Sequence, residues 1–160
     1  MTPAQEWAAL YDPAVRAVLD DALHGTFVAS TEDEDRNQAT DWVYVAPRYT
    51  VQSRVRRPRY ASLRDFTLRI KTTGRPEYDK IMGGWATHLL YAIAHPTVPG
   101  HITDWMLCDL DVFRAVRPPM YRALPLNDDG TQGGAWMTKA LPPEFVIVTN
   151  KTVGQLRLSL

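Results

Sequence analysis

TDWVYVAPRYTVQSRVRRPRYASLRDFTLRIK, residues 40–71, carries three strand-like runs and half of the chain's arginines. Asp41 opens an apolar run, and Pro47-Arg48 reads as a tight turn. A second alternating run follows from Tyr49 to Arg56, so residues 41–46 and 49–56 read as a hairpin. With period-two alternation, Val51, Ser53 and Val55 share one face of the second strand, and Gln52, Arg54 and Arg56 the other. Twist or a bulge at the strand entrance can bring Asp41 beside Gln52 or Arg54 across the pair. Pro58 ends the strand, RRPR forms a loop, and DFTLRI (65–70) supplies a third strand with Phe66, Leu68 and Ile70 inward and Thr67 and Arg69 outward.

Outward from that stretch, residues 3–24 repeat apolar side chains at three- and four-residue spacing, which predicts an amphipathic helix. Pro13 kinks it or splits it after Tyr11, with Asp12 capping the second half. Asp20 and Asp21 fall in its last turn, where the helix dipole disfavours negative charge. The run STEDEDRNQ (30–38) is acidic without apolar periodicity and predicts a loop. Residues 76–94 predict a second main helix, with Ile81, Trp85, Leu89 and Ile93 at four-residue spacing, Pro76 at its opening and Gly83-Gly84 as a costly interruption. His101–Asp109 predicts a central strand, Leu110–Ala115 a helical turn, and Trp136–Ala140 and Phe145–Thr149 two edge strands.

The chain has 160 residues, 45% of them apolar, enough for one domain with a real core. We expect a core over about 3–117 and a β tail over about 118–160. The one cysteine, Cys108, excludes an intrachain disulfide and, within WMLCDL, reads as a buried small hydrophobe. No apolar run approaches the ~18 residues a membrane helix needs, and the first residues lack a basic-plus-apolar signal. The expected location is the cytoplasm.

The formal net charge is zero but strongly segregated. Residues 1–45 hold 2 basic and 9 acidic side chains, and residues 46–80 hold 10 basic and 3 acidic. Local fields of this kind steer a polyanion to a surface. The competing expectation is that the acidic and basic thirds neutralise each other on folding.

An aspartate on one hairpin strand, a polar-x-basic triplet on the next, and the order helix, three strands, helix, strand together resemble the PD-(D/E)XK nuclease superfamily over residues 3–109. That resemblance implies an α/β (α+β) fold with a restriction-endonuclease-like αβββαβ core and a C-terminal β extension. In such nucleases an Asp and a Glu bind Mg²⁺ or Mn²⁺, and a Lys positions or activates the attacking water. Asp41 matches the aspartate, Gln52 stands at the glutamate and Arg54 at the lysine. Asp20 or Asp21 would match the acidic residue that the family carries on its first helix, making up the metal charge that Gln52 lacks. Arg54 stays protonated, so it clamps phosphate instead of acting as a base.

Arg48, Arg56, Arg57, Arg59, Arg64, Lys71 and Arg75 would form a basic rim that holds DNA, or RNA, by its phosphates. Trp42, Tyr49 and Tyr60 are candidates to stack on bases if exposed. The expected activity is therefore hydrolysis of DNA phosphodiesters by a metal-dependent nuclease. The alternative is a nuclease-like module, without catalysis, that binds nucleic acid or protein. Its compact size suits a phage or mobile-element protein, and the oligomeric state is open, a homodimer included.

Overall fold

The computed structural model of the chain describes residues 3–23, 27–38, 40–44, 49–60 and 64–151. Helices α1 (Pro3–Ala9) and α2 (Asp12–Leu23) are separated by a turn at Leu10-Tyr11. The chain breaks there because Pro13 has no N–H to continue the ladder, which places it in the opening turn of a new helix. Strand β1 (Phe27–Ala29) follows, and then α3 (Glu32–Gln38) where a loop was expected. A reciprocal cap explains that helix. The Glu34 N–H donates to Thr31 Oγ1 (3.3 Å), and the Thr31 N–H donates back to Glu34 Oε2 (3.0 Å).

Strands β2 (Trp42–Tyr44) and β3 (Thr50–Arg56) pair antiparallel, Trp42 opposite Val51, as the expected hairpin. β4 (Asp65–Lys71) is the third expected strand, but it leaves that sheet. The predicted helix over 76–94 is also corrected. Helix α4 spans only Glu77–Met82, and His88–Ala94 is strand β5, running parallel to β3. Gly84, at φ +93°, and Ala86, at φ +53°, make the reversal between them in left-handed conformations.

β6 (Ile102–Asp109) and α5 (Leu110–Val116) follow as the sequence predicts, with the Asp109 carboxylate capping α5 through the N–H groups of Asp111 (2.7 Å) and Val112 (3.2 Å). The remaining strands are β7 (Arg122–Ala123), β8 (Gln132–Met137) and β9 (Val146–Thr149).

The fold is α+β. A mixed six-stranded sheet has the order β1-β2-β3-β5-β6-β9, and a three-stranded sheet the order β4-β8-β7. β9 is an edge strand as expected, whereas β8 lies between β4 and β7. The large sheet is apolar on both faces. Leu90 and Leu107 face one way, packing with Val51 and Phe27 against Tyr11, Val15 and Leu19 of the N-terminal helical region. Leu89, Tyr91 and Met106 face the other, where Phe66 and Leu68 of β4 and Trp136 of β8 complete a core with Phe113 and Phe145.

Within the expected β extension, Trp136, Leu141 and Phe145 are buried in that core. Among the described residues no helix is long and apolar enough to cross a membrane.

Candidate nucleic-acid interface

The hairpin brings Asp41 to β3. The Asp41 N–H donates to the Val51 carbonyl (2.9 Å), which sets its side chain against residues 52 and 53. Asp41 Oδ2 then accepts from the Ser53 N–H (2.5 Å), Ser53 Oγ (2.8 Å) and Gln52 Nε2 (3.0 Å). Gln52 Nε2 also donates to the Ser53 carbonyl (3.1 Å), so its amide nitrogen faces the aspartate. Burial pushes the Asp41 carboxyl up to about 7, reinforced by the charges of Asp35 and Glu77 and opposed by the Ser53 hydrogen bonds.

Arg54 does not join that group. Its Nη1 pairs with Glu77 Oε2 at 2.5 Å, and the same oxygen accepts the Arg69 N–H at 2.7 Å. The two side chains are only 24% and 12% exposed, so this is a shielded pair bridging β3, β4 and α4. Glu77 is the central carboxylate that sequence reasoning missed. Its signal was available, because only three acids stand among the ten cations of residues 46–80. Ser53 and Lys80 were also missed.

A cleft of about 490 Å³ opens beside Gln52, Ser53 and Arg54. Its cations are Arg36, Arg54, Arg69, Arg75 and Lys80, and its carboxylates are Asp12, Asp35 and Glu77. The next outward residue on β3, Arg56, points into a second cleft of about 740 Å³ with Arg59, Tyr60 and Arg122. Arg56 Nη1 donates to Thr67 Oγ1 and to the Tyr91 hydroxyl (3.2 Å), and its guanidinium lies 4.4 Å from the centre of the Tyr60 ring. Thr67 therefore points away from the core as expected and is nevertheless buried beneath Arg56.

The expected basic rim is divided between these clefts. Arg75 lines the first and donates to the Asp79 carbonyl (3.1 Å), whereas Arg56 and Arg59 line the second. Arg57 lies 6.0 Å from the Trp7 ring centre, Arg64 and Lys71 are exposed, and Arg48 lies outside the described residues. Of the aromatic candidates, Trp42 is buried in the core and Tyr49 packs edge-on against His88 at 4.9 Å, which leaves Tyr60 exposed.

The donor set does not fit Mg²⁺ or Mn²⁺ as it stands. Such ions require several oxygen ligands in octahedral geometry. Asp41 Oδ2 already accepts three hydrogen bonds, Gln52 turns its nitrogen toward it, and Glu77 is held by Arg54. Asp20 accepts the Phe27 N–H (3.3 Å) and pairs with Arg16 (3.8 Å), and Asp21 is exposed. Among the described residues no three His, Cys, Asp or Glu side chains gather as a metal site. Asp12, two turns before Asp20 on α2, is the residue of that helix that lines the cleft.

No protein-family model, curated protein or solved structure matches the chain. Arg16 and Arg36 pair within the N-terminal third, with Asp20 and Glu32, and Arg54 pairs with Glu77. Among the described residues Arg56, Arg57, Arg59, Arg69 and Arg75 form no ion pair with a carboxylate. Aromatic rings, hydroxyls and carbonyls hold four of them instead, and these contacts leave the positive charge uncancelled.

Proposed function

We propose that the protein binds nucleic acid by its phosphates, through the arginines of β3, β4 and the loops that follow them. The observation that carries this reading is the set of five arginines without a carboxylate partner among the described residues, four of which line the two clefts, Arg69 and Arg75 the first and Arg56 and Arg59 the second. Guanidinium groups held by rings and carbonyls keep their charge and lose little freedom on meeting a phosphate. In this reading the β2–β3 hairpin with β5 alongside is a restriction-endonuclease-like framework whose Asp41, Gln52 and Ser53 serve as an internal hydrogen-bond lock. Arg54, fixed by Glu77, positions the strand.

The test is fluorescence anisotropy with labelled DNA and RNA across a salt series. Wild-type affinity falls steeply with salt, and Arg59→Ala and Arg75→Ala each reduce the slope by about one. A protein that binds no nucleic acid at low salt, or binds it without salt dependence, overturns the reading.

The contact between Asp41 and Gln52 favours a second reading, metal-dependent hydrolysis. Plasmid nicking in Mn²⁺ or Mg²⁺ that disappears with EDTA and in Asp41→Ala would move the assignment there. Such a result would require the amide of Gln52 to turn and the carboxylates to regroup around the ion.

A further inference from the structure

We propose that the cleft around Tyr60 receives a single unpaired nucleobase, which makes the protein selective for single-stranded nucleic acid. The inference rests on the nucleic-acid reading above and adds the form of the ligand.

The cleft volume of about 740 Å³ lies within the ~300–1,000 Å³ of ordinary small-ligand sites, large enough for a base with its sugar and phosphate. Tyr60 is 45% exposed, although tyrosine usually buries its ring against a core. Its ring is already a stacking platform, with the Arg56 guanidinium 4.4 Å and the Arg59 guanidinium 4.9 Å from its centre. Bases stack on both aromatic rings and guanidinium planes, and this cleft is lined by both. A base inside a duplex presents only its edge, and its face becomes available once the strand is unpaired.

The charges narrow the ligand further. Arg56, Arg59 and Arg122 supply cations for a phosphate, while Asp65 places a carboxylate on the same wall. A site for inorganic phosphate alone gains nothing from that carboxylate, which repels the anion. A nucleotide uses both, since an exocyclic amine on cytosine, adenine or guanine donates to a carboxylate and thymine has no such amine. The adjoining Thr67 hydroxyl is held by Arg56, whose second bond to the Tyr91 hydroxyl fixes the guanidinium in place. The cleft thus combines a stacking surface, a phosphate clamp and one acceptor for a base edge.

The experiment compares labelled oligo-dC, oligo-dT and a duplex of equal length, binding to wild type, Tyr60→Ala, Tyr60→Phe and Asp65→Asn. Wild type is expected to favour oligo-dC over oligo-dT and both over duplex. Tyr60→Ala weakens binding to oligo-dC by about tenfold, the worth of one stacked base, and weakens duplex binding distinctly less, since a duplex loses only the ring's hold on Arg56 and Arg59. Tyr60→Phe keeps the stack and behaves as wild type, and Asp65→Asn narrows the gap between dC and dT. If Tyr60→Ala changes neither affinity, or lowers both equally, the base-pocket inference falls while the nucleic-acid reading stands. If no oligonucleotide or duplex shows salt-sensitive binding, both fall together.

Discussion

Replacing Asp41 with Asn tests whether the hydrogen-bond lock at the hairpin stores a protonation cost. Asp41 in the folded protein is pushed up to about 7 by burial and by the nearby Asp35 and Glu77 charges, whereas an unfolded aspartate titrates near ~3.9. A carboxyl with a raised folded-state value binds its proton more tightly in the native chain. Its contribution is fully present below the unfolded value and is lost as pH rises through about 7. Between pH ~5 and pH ~8 linkage gives an upper bound of about 2.6 kcal/mol. With that figure as a ceiling, the expected loss is roughly 1–2 kcal/mol.

Asparagine has nearly the same shape and can accept through its remaining oxygen, but it does not titrate. Urea unfolding of wild type and Asp41→Asn at both pH values isolates the term, because every other group cancels in the difference. The expected result is that wild type loses roughly 1–2 kcal/mol relative to Asp41→Asn on going from the lower pH to the higher. Parallel pH profiles for the two proteins would show that folding leaves the Asp41 carboxyl unshifted, and the opposite sign would mean that the donors on Oδ2 outweigh burial.

Three other perturbations probe the frame. Glu77→Ala strands Arg54 in a shielded site and removes the acceptor of the Arg69 N–H, so urea unfolding should show a loss of about 2–4 kcal/mol, partly restored in the double variant with Arg54→Met. Trp136→Ala removes a ring that stacks on Tyr78 (5.2 Å between centres) and contacts Phe66 and Phe113, and should cost about 3–5 kcal/mol by the same measurement. Cys108 is fully buried and its thiol is pushed above the usual range, so it should react with a disulfide reagent only as fast as the protein unfolds. Rapid labelling of the native protein would contradict the buried β6.

Much of the local architecture was legible because it depends on short-range chemistry. A twist or bulge at the strand entrance allowed Asp41 to meet Gln52 or Arg54, and the structure has Gln52; the break at Pro13 followed from its missing N–H. The false helix over 76–94 has a physical cause. β5 is covered on both faces, so HLLYAIA has no polar alternation and fits a helical stripe as well as a strand. The Gly83-Gly84 pair was the better signal. In the acidic run, Thr31 followed three residues later by Glu34 is a capping-box pattern that the charge density obscured. What could not be read was which distant strands meet. The departure of β4 to β8 is decided by packing between sheets, and with it the separation of the arginines into two clefts.

That long-distance partnership has a consequence for synthesis on the ribosome. β4 ends at Lys71, and its neighbour β8 begins only at Gln132. At ~5–20 residues per second the nascent chain carries Phe66 and Leu68 without their covering strand for several seconds. Throughout that interval the first sheet also lacks its far edge, and the exposed apolar strip invites a chaperone. Expression yield should therefore respond to changes in translation speed between residues 72 and 137 more than to changes after β9.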